Sequence, residues 1–176
     1  MAALSGDLLA HELNLEDSQM SILHGHFTVV LIVAGADTTD LAGLRADLER
    51  TAERLSLEAL SLSELGDGEG EATGEATESG KRPSSSEPTC IVTVYGADHP
   101  GIVHAVASAL AESAVNITDL QTRLGSGHEG SELYAMMLEV ALPAGFSEAD
   151  LEILFEGVRR EQGVQATVRA LEQDVL

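Results

Sequence analysis

The chain repeats itself at a fixed distance. Asn14, Asp17 and Gln19 recur as Asn116, Asp119 and Gln121, and Leu8 recurs as Leu110, all at an offset of 102 residues. An Asn-apolar-x-Asp-x-Gln pattern recurring at one spacing, without gaps over a helix and its following strand, is the mark of duplication. The two halves should therefore share a fold. The same offset exposes a defect. Met1 aligns with Val103, so residues 90–102 have no counterpart in the first half.

The second half reads β-α-β-β-α-β. β-branched and apolar residues predict a strand over Cys90 to Tyr95. A helix follows from Pro100 to about Ser113, with Ile102, Val103, Val106, Ala109 and Leu110 on one face. Strands over Ile117 to Leu124 and Glu132 to Leu142 flank a Gly-rich hairpin loop, Gly125 to Ser131. Ser147 and Asp150 resemble a capping box opening a helix from about Glu148 to Glu161, with Leu151, Leu154, Phe155 and Val158 as its stripe. The last strand is Val164 to Leu171. This order builds a ferredoxin-like sheet with both helices on one face.

The first half reads α-β-β-α-β. Its helix spans Ala2 to Leu13, and its strands span Leu15 to Leu23 and His26 to Ala34, joined at His24-Gly25. A second helix runs over Asp40 to Leu55, with a stripe of Leu41, Leu44, Leu48 and Leu55, and a last strand over Leu57 to Leu62. Without a first strand, its neighbours would keep unpaired inner edges, a costly state. Three explanations are open: an authentic start upstream of Met1, a strand donated by a partner chain, or a gapped repeat serving as an interface.

Between the halves, Gly66 to Thr89 reads GDGEGEATGEATESGKRPSSSEPT, with no large apolar residue. Such a stretch cannot bury enough surface to offset its ordering entropy, and reads as a flexible acidic linker. The expected organisation is a truncated first repeat over 1–65, a linker over 66–89 and a complete second repeat over 90–176.

The loop with most chemistry is Gly96-Ala97-Asp98-His99-Pro100-Gly101-Ile102-Val103, set between a strand and a helix. A helix start presents free backbone N–H groups to a small anionic ligand. Gly96 reads as permitting an unusual φ, Pro100 as suiting the first helical turn, and Gly101 as leaving room for a ligand. The plainer alternative is that Asp98 caps the helix and the glycines make a turn.

Composition excludes several functions. The net charge is −21, with nine Lys and Arg in all and 3% aromatic residues. Direct nucleic-acid binding needs clustered basic residues and stacking surface, so it is not expected. The single Cys90 rules out an intrachain disulfide and a cysteine zinc site. The longest apolar run, Phe27 to Ala34, is too short to span a bilayer, and no secretory signal precedes it. His24-Gly25-His26 lacks a third ligand and reads as a hairpin turn. His99 and His104 with Asp98 lack a nucleophile, so neither catalysis nor a cofactor or metal is expected. A reducing cytoplasm fits.

Phe27 to Val33 and Leu133 to Val140 are apolar on both alternations. A sheet with helices on one face should carry a polar second face, so a greasy one predicts an interface. The expectation is that the two sheets pack on each other, within the chain or in a homo-oligomer.

Gly96-x-Asp98-x-Pro100-Gly101-Ile102-Val103, followed by Asn116-Ile117, resembles the ACT domain, a regulatory module that binds amino acids. Two such copies joined by a linker resemble the glycine cleavage system transcriptional repressor family. Asn14-Leu15-Glu16-Asp17-Ser18-Gln19-Met20, His24-Gly25-His26-Phe27 and the tail Gln173-Asp174-Val175-Leu176 fit that resemblance. It implies a site made of Asp98, His99, Pro100, Gly101, Ile102 and Val103 in the loop, with Asn116 and Ile117 across from it. Helix-start N–H groups would hold an amino acid's carboxylate, and Asp98 or Asn116 its ammonium group. It implies a non-enzymatic regulator that senses glycine or serine and acts through a protein partner, either a regulator or an enzyme. The alternatives are a regulatory subunit of an amino-acid metabolic enzyme and a ligand-free interaction scaffold.

Overall fold

A computed structural model describes residues 1–23, 26–64, 88–126 and 132–171. Helices are α1 (Ala2–Ala10), α2 (Leu41–Leu55), α3 (Ile102–Glu112) and α4 (Glu148–Gln162). Strands are β1 (Asn14–Leu23), β2 (His26–Ala34), β3 (Cys90–Ala97), β4 (Asn116–Ser126), β5 (Glu132–Ala141) and β6 (Gln165–Ala170). The His24-Gly25 turn, the tip of the loop between β4 and β5, the tail motif and nearly all of the expected linker lie outside the described residues. Thr89, at the linker's expected end, already donates its N–H to the carbonyl of Val140 at 2.8 Å.

The six strands form one sheet in the order β2-β1-β4-β5-β3-β6, and every described pairing is antiparallel. The expected stacking of two sheets within the chain is therefore corrected. The repeats join edge to edge, through β1 and β4, in the register Ser18↔Thr122, Gln19↔Gln121 and Met20↔Leu120. Gln19 and Gln121 are duplicated positions, so a pseudo-two-fold axis passes between them. Each repeat contributes the same edge, an isologous contact made inside one chain.

The backbone carries the duplication further than the side chains do. Glu12 and Ala114, equivalent at the offset of 102, both take φ near +55° (57° and 53°) just after α1 and α3. The following N–H closes back on the helix in both, Leu13 to Leu8 at 3.0 Å and Val115 to Leu110 at 2.9 Å. This left-handed stop satisfies carbonyls at the helix end, and it ends α1 earlier than the expected Leu13. β1 and β4 each carry a bulge at the matching place, between Leu15 and Asp17 and between Ile117 and Asp119.

All four helices lie on one face, and the core forms between them and the sheet. One row of paired residues crosses all six strands there: Val29, Met20, Leu120, Leu138, Val92 and Val168. The next row is apolar except at the seam, where Ser18 and Thr122 are buried and bonded hydroxyl to hydroxyl at 2.8 Å. On the opposite face Val30, Tyr95 and Met137 are exposed, with Gln19 and Gln121 between them. α1 crosses α3 closely because Gly6 has no side chain. A Cβ there would lie 3.1 Å from the His104 ring. α4 opens with the expected capping box of Ser147 and Asp150.

Two expectations for α2 and its surroundings are corrected. Leu44 and Leu48 are buried, but Leu41 and Leu55, at the ends of the stripe, are exposed. Leu57 to Leu62 forms no strand. The reason is topological. In the second repeat the last strand, β6, pairs only with β3. Among the described residues the first repeat shows no strand equivalent to β3, so Leu57 to Leu62 has no ladder to join. The segment is instead tied to α2, where Arg45 donates to the Leu62 carbonyl at 3.0 Å.

Candidate functional site

β3 delivers the chain into the loop at Asp98, and α3 begins at Ile102. Gly96 and Gly101 both matter here, but their roles are the reverse of those expected. Gly96 does not have a positive φ. It is small because the chain after α4 runs against it: a Cβ would meet the Val164 Cα at 3.3 Å and its Cγ1 at 3.1 Å. Gly101 is the residue that needs its freedom, with φ +100° at the N-cap of α3. Pro100 lies in the turn before the helix rather than in its first turn.

Among the described residues, no side chain caps α3. The first N–H groups of a helix have no partner within it, so the start of α3 presents uncapped donors and the positive end of the helix dipole. Asp98 is not the cap. Its Oδ2 accepts from Asn14 Nδ2 at 2.6 Å, and Asn14 belongs to the other repeat. The loop of the second repeat therefore closes on the first strand of the first. Asp98 Oδ1 is buried without a hydrogen-bond partner among the described residues.

A narrow notch of about 20 Å³ lies at this junction, lined by Asp98, His99 and Gly101 to His104 from one repeat, and by Ser5, Leu9, Leu13, Asn14 and Leu15 from the other. That is room for about one water molecule. Its floor includes Tyr134 of β5, 1% exposed, whose hydroxyl also has no partner at hydrogen-bond geometry. Burial pushes the Tyr134 phenol well above its ordinary range. Thr122 opposes part of that rise, and the Asp98 and Asp17 carboxylates add to it. The notch thus holds two buried polar atoms awaiting partners, Asp98 Oδ1 and the Tyr134 hydroxyl, beside the uncapped start of α3.

The two histidines fasten elements rather than present a free base. His99 Nε2 lies 2.9 Å from the Gln162 carbonyl at the end of α4. His104 Nδ1 lies 3.1 Å from the Ala2 carbonyl, joining α3 to α1. Among the described residues, no cluster of three or more His, Cys, Asp or Glu side chains could hold a metal ion. No described helix is long and apolar enough to cross a membrane. Burial raises the thiol of Cys90.

The structure brings Asp98, His99, Gly101, Ile102 and Val103 together, with Pro100 between them in the turn. It does not bring Asn116 and Ile117 to them. Those two line a second notch of about 260 Å³, with Val115, Ala111 and Met1 among its other walls. Asn14 and Leu15, their equivalents at the offset of 102, stand against the loop instead. The repeat itself was the signal for this exchange: if the halves meet across a two-fold axis, each loop faces the other repeat's Asn. Tyr134 carried no such signal, since a tyrosine in a strand reads as packing.

Two ferredoxin-like units fused edge to edge, with a loop–helix junction closed by the neighbouring unit, define a class of regulatory module. The family model for the ACT domain matches residues 1–60 and 89–168, and the chain belongs to the ACT domain family. A UPF0237 protein of Corynebacterium efficiens is 33% identical over 81 residues, 46% of this chain and 85% of that protein. A UPF0237 protein of Methanopyrus kandleri is 45% identical over 64 residues, 36% of this chain. This chain spans 60% of that relative's length. A solved structure provisionally assigned as a glycine cleavage system transcriptional repressor is similar at 13% identity and a TM-score of 0.39. The match covers 97% of this chain and 88% of that one.

Proposed function

We propose that this protein is a non-enzymatic regulator that senses a small amino acid, glycine or serine by family resemblance, and acts through protein contacts. The observation that carries the reading is the pair of buried, unpartnered polar atoms at the notch, beside an uncapped helix start. A buried carboxylate oxygen without a donor is costly, and an ammonium group is the donor that best repays it. The N–H groups of Ile102 and Val103 supply the carboxylate site. Asp98, His99, Pro100, Gly101, Ile102 and Val103 form the loop side of the site. Asn14 and Leu15 take the place that the resemblance gave to Asn116 and Ile117.

At about 20 Å³ the notch is too small for an amino acid, so binding must part the loop from Asn14. Ligand then acts on the contact between repeats, and shifts their arrangement by as much as it prefers the open one. The net charge of −21 turns this signal toward a protein rather than nucleic acid. The closed Asn14–Asp98 bond favours one second reading, a ligand-free scaffold in which that bond is simply a clasp.

A thermal-shift screen of the twenty amino acids, run beside Asp98→Ala, separates the two. Ligand at 100 times its Kd stabilises by about 2.7 kcal/mol. A rise with one or two amino acids, lost in the variant, supports the sensor. A flat screen on a folded sample supports the scaffold.

A further inference from the structure

Of the two polar atoms buried at the first notch, an ammonium group satisfies only Asp98 Oδ1. The other is the Tyr134 hydroxyl, which has no hydrogen-bond partner among the described residues. Tyr134 is 1% exposed and is among the largest fully buried side chains. It stands opposite Gly96 on β3, at the level where the chain leaves the sheet for the Asp98 loop. The nearby Thr122 hydroxyl already shares a hydrogen bond with Ser18 at 2.8 Å. A phenylalanine would fill the same space without burying a polar atom, so the core has no use for this hydroxyl.

A hydroxyl both donates and accepts, and a second hydroxyl complements it. In the proposed site the N–H groups of Ile102 and Val103 take the carboxylate, and Asp98 takes the ammonium group. Both groups sit on one carbon of an α-amino acid, so the side chain is the part left to meet Tyr134. The rest of the wall is apolar, with Leu8, Leu9, Leu13 and Leu15. Ser5 and His104 line it too, but each is already bonded to a backbone carbonyl. Asn14 is released when the loop parts, but it is only half-buried and can turn to water. Tyr134 cannot.

Resting on the sensor reading, we infer that Tyr134 sets side-chain specificity, and that the ligand is a short α-amino acid with a hydroxyl on its β-carbon: serine rather than glycine or alanine. The Tyr134 hydroxyl is already unpartnered in the free protein, so alanine forfeits nothing there. Serine gains one buried hydrogen bond, worth about tenfold in affinity.

The test is isothermal titration calorimetry of the full chain with serine, alanine and glycine, repeated on Tyr134→Phe after circular dichroism has checked its fold. Serine should bind about tenfold more tightly than alanine, and that ratio should collapse to about one in the variant. A spectroscopic arm reads the contact itself. The protein has two tyrosines and no tryptophan, so Tyr95→Phe, at an exposed position on the outer face of the sheet, leaves Tyr134 as the sole phenol. Serine should shift the tyrosine absorption of that variant as the hydroxyl gains a partner, and alanine should not. Alanine or glycine binding as tightly as serine overturns the proposal and leaves the sensor reading standing. So does binding of other amino acids without serine, and so does a serine-to-alanine ratio that survives in Tyr134→Phe. Equal weakening of all three ligands in that variant overturns it as well, since the phenol then serves a group they share. If no amino acid binds the folded chain, the sensor reading fails and the proposal fails with it.

Discussion

The seam between the repeats rests on one polar pair in an apolar row. Ser18 and Thr122 are 3% and 1% exposed, and their hydroxyls lie 2.8 Å apart. Thr122→Val keeps the volume but leaves the Ser18 hydroxyl buried with nothing to bond, which costs about 1–3 kcal/mol. Ser18→Ala orphans Thr122 in the same way, at a similar cost. The double variant removes both hydroxyls and leaves no orphan, so it should lie within about 1 kcal/mol of the wild type. The two changes should thus couple by about 1–2 kcal/mol. Urea unfolding followed by circular dichroism measures the cycle. In a chain of this size each kcal/mol shifts Tm by about 2–4 °C, so melting curves check it independently. Costs that simply add would mean that the hydroxyls do not meet, and would refute the register of β1 on β4.

Other consequences follow from single sites. Tyr134→Phe removes a buried, unpartnered hydroxyl, so the free protein should gain about 1 kcal/mol in denaturant unfolding. Because burial raises that phenol, the unfolded chain ionises first. The wild type should lose stability as pH rises above about 10, and Tyr134→Phe should lose less. Gly101→Ala forces a side chain onto φ +100°, and should cost at least about 1 kcal/mol by the same assay. Phe155→Ala, at a fully buried position on the inner face of α4, should cost about 3–5 kcal/mol. The Ser147 side chain and backbone N–H hold the Asp150 carboxyl below its ordinary value. Its contribution is present above about pH 4 and is lost as pH falls through the lowered value. Asp150→Asn should therefore flatten that part of the acid unfolding profile.

Local signals were the legible ones. The stripe Leu151, Leu154, Phe155 and Val158 packs on the core, the box of Ser147 with Asp150 opens α4, and the β-branched and apolar run from Cys90 to Tyr95 forms a strand; each depends on neighbours close in sequence. Leu57 to Leu62 has a strand's composition, but a strand also needs an edge to pair with, and among the described residues the first repeat offers no strand equivalent to β3. Two sheets with apolar second faces are compatible with stacking. Edge-to-edge joining is chosen by β1 and β4, whose pairing across Gln19 and Gln121 is a long-range fact. The loop's chemistry was readable and its partner was not, because Asn14 and Asn116 are the same residue in the same motif. Which of them meets Asp98 depends on how the repeats are placed. Gly96 and Gly101 exchanged roles for a related reason: a sequence shows that a glycine is present, but not whether space or φ requires it.

The central claim is that a single ligand site is built by both repeats. An NMR titration with the amino acid that gives the largest thermal shift tests it most directly. The account predicts that the backbone amides of Ile102 to His104 and those of Asn14 and Leu15 move together, with one Kd. Shifts confined to the second repeat, or centred on Asn116 and Ile117, would contradict it.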